Sequence, residues 1–216
     1  AASSDYPLRD VYKRQVSVRD ITGAADVDVA LANYHFGSKQ GVLEAVFLRR
    51  AADLNAERLA RLDAVLAASG RRTPGLEAII DAFTHPLLDR SARGGPGWKS
   101  YFALIAEVNN SPEFGGVLMT RHFDPVVQRF IEAMRLALPG CDERDLFWAY
   151  HFLSGALTLT FAETGRIDKL SGGVCRSSDL DSVHQRLVPY CAAGFRALCS
   201  GGARRKPVRR TARTAR

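Results

Sequence analysis

The chain has 216 residues, a formal net charge of +7, a pI near 9.5 and 46% hydrophobic residues. That size and apolar content suffice for one large core or two small ones. No run approaches the roughly 18–20 uncharged apolar residues of a membrane span, and the opening residues lack the basic-then-apolar pattern of a signal peptide. A cytoplasmic protein with no membrane partner is expected.

The charge is unevenly placed. Seven of the 30 basic residues lie in "ARRKPVRRTARTAR", residues 203–216, which holds no acid, and the remaining bases balance the 23 acids. Residues 201–216 therefore read as a disordered basic tail, and any nucleic-acid role of the neutral body must rest on local residues. The cysteines, Cys141, Cys175, Cys191 and Cys199, form no Cys-x-x-Cys pair. On one helix Cys191 and Cys199 would stand about 12 Å apart along the axis, too far to bridge. Reduced, packed thiols are expected.

Residues 1–15, "AASSDYPLRDVYKRQ", carry no sustained helical stripe. Beyond them helical periodicity dominates and alternating strand patterns are lacking, so the fold class is all-α. Ser17 suits an N-cap for a short helix with Val18, Ile21, Ala24 and Ala25 on its apolar face. Asp26 tolerates a left-handed turn, Asp28 can cap a second short helix through Phe36, and Gly37 suits a left-handed stop. Ser38 can cap a long third helix with Leu43, Val46, Phe47, Leu54, Leu59, Leu62, Val65 and Leu66 on its apolar side. Helices are then expected over 75–90, from Trp98 to "NNSP", and over 113–138 with Pro125 marking a start or kink. "RSARGGPG" and "GRIDKLSGGVCRSS" read as loops. The helices 143–164 and 179–199, the latter with a kink at Pro189, close the body.

Two short helices separated by a tight turn form the helix-turn-helix layout, whose second helix enters the major groove while helix N-termini and basic side chains hold phosphates. "SVRDITGAADVDVALANYHFGSKQGVLEAV", with Ser17-Val18-Arg19-Asp20-Ile21, Ala24-Ala25, Tyr34-His35-Phe36, Ser38-Lys39 and Leu43, resembles the DNA-binding segment of the TetR family of bacterial transcriptional regulators. The resemblance places Ser17, Arg19, Val29, Ala30, Asn33, Tyr34, His35 and Lys39 at the DNA. Arg19 contacts a base or phosphate, or pairs with Asp20. Asn33 matches adenine, and Val29 and Ala30 touch thymine methyls. Leu31 is either exposed or core. Tyr34 faces a phosphate, His35 does the same or bonds a backbone carbonyl, and Phe36 is core. Lys39 adds its charge to the free N–H groups of a helix start.

Two departures stand beside these matches. Asp26 occupies a place where the family has glycine, and Asp28 one where it has a serine-like residue. The family's apolar first helix is also not legible in residues 1–15, which look like foreign sequence joined at Val16.

The resemblance divides the chain into the atypical 1–15, a helix-turn-helix domain over 16–50, a ligand-binding and dimerisation domain over 51–200, and the tail. The family's last two long helices build a two-fold four-helix dimer interface, here 143–164 and 179–199. Gly155, Ala156, Ala192, Ala193 and Gly194 would allow close approach, and Leu153, Leu157, Phe195 and Leu198 would supply apolar area. Such a homodimer reads a palindromic double-stranded operator.

"LFWAYHFLSGALTLTFAETGRIDKL" and "LVPYCAAGFRA" are similar to regulators of the PsrA type, which respond to long-chain fatty acids or their thioesters. That implies a small hydrophobic effector. Phe102, Ile105, Phe130, Met134, Trp148, His151 and Phe152 are the candidate lining, with Trp98 and Phe114 beside them. No cofactor or metal is implied and no enzyme is expected. Cys175, His184 and Asp181, or Glu163 with His151 or His184, lack motif-grade spacing. The function implied is a ligand-released repressor; the alternative is an all-α ligand-binding or interaction protein with impaired DNA binding.

Overall fold

Local capping sets the first boundaries of the computed structural model, which describes residues 17–111 and 115–200. The expectations for residues 1–16, for Phe114 and for the tail lie outside the described residues. Ser17 Oγ accepts from the Asp20 N–H at 3.2 Å, and the Asp20 carboxylate accepts from the Ser17 N–H at 2.6 Å. This reciprocal capping box opens α1 (Val18–Ala24) and satisfies two orphan donors. Asp26 turns the chain with φ 53°, and Asp28 Oδ1 accepts from the Ala30 N–H at 2.6 Å to open α2 (Val29–Phe36). Gly37, at φ 69°, ends α2, and Ser38 Oγ accepts from the Gly41 N–H at the start of α3 (Lys39–Ser69).

Seven further helices follow among the described residues: α4 (Leu76–Arg93), α5 (Pro96–Asn109), α6 (Gly115–His122), α7 (Asp124–Ala137), α8 (Glu143–Phe161), α9 (Arg166–Leu170) and α10 (Leu180–Ser200). No strand occurs among the described residues, so the chain is all-α. It divides into two compact units, residues 1–52 and 53–216, with α3 contributing residues to both.

In the first unit Thr22, Phe47 and Ala51 are buried. In the second, α10 packs on α4 and α8, α5 on α4 and α8, and α7 on α4 and α8. Phe102, Phe130, Met134, Ile79, Ile80, Leu146, Leu153 and Phe195 form its centre. Phe83 meets Phe130 edge-on at 5.0 Å and Phe102 stacks on Phe161 at 4.7 Å, favourable aromatic geometries. Arg58 is buried in this core, with Nη1 donating to Asn55 Oδ1 and its guanidinium 4.0 Å above the Phe83 ring. Burial pushes its pKa down to about 10, so it stays charged at neutral pH, and the faces of Phe83 and Phe130 supply part of the missing solvation. Ion pairs from Glu57 to Arg90 and from Asp63 to Arg129 join the 53–69 portion of α3 to α4 and α7.

Two expectations change, and the start or kink expected at Pro125 resolves to a start. The segment expected as the loop "RSARGGPG" begins helically, because Ser91 is buried and Arg93 is held by Asp89 and Asp181. Pro125 marks a start, standing in the first turn of α7. Cys141 and Cys199 are joined by a disulfide 58 residues apart in sequence, while Cys175 is free and exposed and Cys191 free and buried. The sequence pairing considered, Cys191 with Cys199, lies along one helix; the observed bond joins the start of α8 to the end of α10.

Candidate functional site

The segment expected as a helix-turn-helix consists of α1, the Ala25–Asp28 turn and α2. Asp20 is held below its ordinary pKa by the Ser17 side-chain and backbone hydrogen bonds, with a smaller contribution from the Lys39 charge. The Ser17 hydroxyl is engaged in the cap, donating to Asp20 at 2.6 Å, and Arg19 is exposed. On α2, Ala30, Leu31, Asn33, Tyr34 and His35 are exposed, whereas Val29 is half-buried.

Tyr34 is 83% exposed and its ring meets His35 edge-on at 5.2 Å. His35 also contacts Phe36 at 6.3 Å, so the aromatic trio forms an outward-facing cluster. Phe36, expected in the core, is 43% exposed. It is the last residue of α2, and the left-handed Gly37 turns the chain before any described helix covers it. Tight packing occurs instead at Gly41, where a Cβ would stand 1.9 Å from the Phe36 carbonyl oxygen. Only glycine permits this approach of α2 to α3, a constraint the sequence pattern did not reveal.

The expected ligand set separates into two groups. Phe102, Ile105, Phe130 and Met134 are buried core side chains. Trp148 and Phe152 are 51% and 58% exposed, and His151 is also exposed, with its ring edge-on to Trp148 at 5.5 Å. These three project outward because Leu146, Ala149, Leu153 and Leu157 occupy the inward face of α8. Trp148, Phe152, Gly155 and Leu159 follow one another at helical spacing, an exposed apolar stripe beside the exposed Tyr190, Ala193, Gly194 and Ala197 of α10.

Of the expected interface residues, Leu153, Leu157, Ala192 and Phe195 are buried within the chain. By contrast, a Cβ at Gly155 or Gly194 would meet nothing within 4 Å.

A cleft of about 790 Å³ opens between the end of α8, α9 and the first half of α10. Its apolar walls include Leu159, Ile167, Leu170, Val183 and Leu187, and its charged lining is Arg166, Arg176 and Arg186 against Asp179. The polar segment following α9 is fixed by Asp168, which accepts from the Ser177 N–H and from Ser177 Oγ. The sequence reading missed this site by treating 165–178 as a loop. The signal was Ile167 and Leu170 at i and i+3, on one face of α9.

The residues considered for catalysis do not assemble. Asp181 pairs with Arg93, Glu163 with Lys99 at 2.7 Å, and His184 with Asp81.

The family described as "Tetracyclin repressor-like, C-terminal domain" matches residues 81–194, more than half of the chain. The chain belongs to this tetracycline-repressor-like family. The match covers α5 to α9 and most of α4 and α10, including the cleft and the exposed stripe. Membership gives the broad class, a ligand-responsive transcriptional regulator. No curated protein matches the chain. No described helix is long and apolar enough to cross a membrane.

Proposed function

We propose that this tetracycline-repressor-like chain is a homodimeric repressor that grips a palindromic operator through α2 and the start of α3 and is released by an acyl compound. The observation that carries the effector assignment is the α8–α9–α10 cleft. Apolar walls with three arginines against one aspartate suit an apolar tail bearing an anionic head, and about 790 Å³ lies within the range of small-molecule sites. The resemblance to PsrA-type regulators points to the same chemistry, a long-chain fatty acid or its thioester. The lining proposed here replaces the core and surface residues expected from sequence.

Thermal melting with a fatty acid and with an acyl thioester tests the assignment. A ligand at a hundred times its Kd raises the unfolding free energy by about 2.7 kcal/mol. Ile167→Glu, which puts a carboxylate in the exposed part of the wall, should abolish the shift. Melting unmoved by either ligand rejects the acyl reading.

At the operator, Tyr34 and Lys39 are assigned to phosphates, with Arg19 and Asn33 as base readers. Lys39→Gln should weaken binding across all sequences and lower the salt slope by about one. Tyr34→Phe removes one hydrogen bond, about 1 kcal/mol. Fluorescence anisotropy across a salt series reads both, and unchanged binding in both variants removes the phosphate roles.

Exposure of Val27, Leu31 and Phe36 favours a second reading, in which this surface meets another protein and DNA binding is impaired. The same titration on chains with and without residues 203–216 decides it. DNA binding lost with the tail alone supports that second reading.

A further inference from the structure

We propose that Asp81, His85 and His184 form a binding site for one divalent transition-metal ion of the zinc class, joining α4 to α10. Asp81 and His85 are four residues apart on α4 and so share one face. His184 comes from the second turn of α10. One ligand atom from each of the three residues lies within 4.8 Å of the others. His184 Nε2 is 2.7 Å from Asp81 Oδ1, and the rings of His85 and His184 stand 4.7 Å apart.

Zinc bound tetrahedrally at about 2.0–2.1 Å from imidazole nitrogen or carboxylate oxygen spaces its ligands by roughly 3.3 Å. The Asp81–His184 contact of 2.7 Å is shorter than that and no pair of the three ligand atoms exceeds 4.8 Å, so small side-chain rotations suffice. Two imidazoles and one carboxylate also match the borderline character of zinc and leave a fourth position for water. All three residues are half-buried, which gives an ion access while fixing the helices that carry the ligands.

The plain alternative is a hydrogen-bonded Asp–His pair with a second ring packed on it. It accounts for the 2.7 Å contact. It gives His85 only a ring contact, with no hydrogen bond to either partner among the described residues. Val183, Arg186 and Leu187, which line the cleft, flank His184 on α10. A bound ion would therefore tie one wall of the cleft to α4. The site stands independently of the effector assignment, because its ligands lie outside the cleft lining.

The test uses the full chain, stripped of metal and carrying Cys175→Ser to remove the exposed thiol. Zn²⁺ is titrated in competition with a chromophoric chelator. One equivalent should bind, and His85→Ala and His184→Ala should each weaken it by at least about tenfold, since even outer-shell changes at metal sites reach that size. X-ray absorption of the zinc-loaded chain, which needs no second substitution, should show nitrogen and oxygen ligands with two imidazoles. No stoichiometric binding, affinity in both histidine variants unchanged from that of the parent chain, or sulfur in the first coordination shell overturns the proposal.

Discussion

Phe152→Glu is expected to dissociate the proposed homodimer and, with it, the proposed operator binding. Phe152 is 58% exposed on α8 between Trp148 and Leu159, which are 51% and 70% exposed. Three large apolar side chains on one helix face, left exposed by the described residues, mark a face for association. Burying such a side chain contributes about 2–3 kcal/mol. A two-fold interface repeats the loss in both copies, so the dimer dissociation constant should rise by roughly a thousandfold to ten-thousandfold. The introduced carboxylate would also have to be desolvated twice.

Sedimentation at micromolar concentration should show monomers with unchanged helical circular dichroism. The contrasting substitution is Leu153→Glu, only one residue away but 1% exposed and directed inward. It should unfold the second unit rather than split a dimer. A Phe152→Glu chain that stays dimeric and binds operator normally removes α8 from the interface.

The difference between those neighbouring residues shows what could be read from sequence. Helix starts were legible where a cap and its partner lie within three residues, as at Ser17 with Asp20, Asp28 with Ala30 and Ser38 with Gly41. The left-handed turns at Asp26 and Gly37 are equally local. Which face of an all-apolar helix turns inward is not local. The α8 sequence is hydrophobic on both sides, so Leu153 and Phe152 look alike until α4, α5, α7 and α10 select the inner face.

Phe36 shows the same limit from the other direction, since its type suggested a core wedge and its position at a helix end left it outside. The cleft lining spans residues 156–190 in three elements, and the Asp81–His184 pairing spans 103 residues. Only two of the three ligands of the proposed metal site, Asp81 and His85 at a four-residue spacing, are visible along one helix.

The Cys141–Cys199 disulfide carries the second large expected effect, on stability. A cross-link stabilises chiefly by restricting the unfolded chain, and closing a segment with a separation of 58 residues corresponds to about 4 kcal/mol in the chain-entropy estimate. For a domain of this size such a loss lowers the melting temperature by roughly 8–16 °C. Adding reductant to the wild-type chain should therefore shift the melt downward, and Cys141→Ser should show the lowered value without further response to reductant.

The two free thiols serve as controls. Cys175 is exposed, so Cys175→Ser should leave the melt unchanged. Cys191 is buried with its thiol pKa pushed up to about 11 by desolvation, so it should resist thiol reagents until the protein unfolds. Because the bond ties the start of α8 to the end of α10, reduction loosens both helices assigned to the dimer face at once. Dimer affinity should fall together with melting temperature in reductant, and more steeply than in Cys175→Ser. A melt insensitive to reductant would mean that the thiols are unpaired in solution, and α8 and α10 would then hold their positions by packing alone.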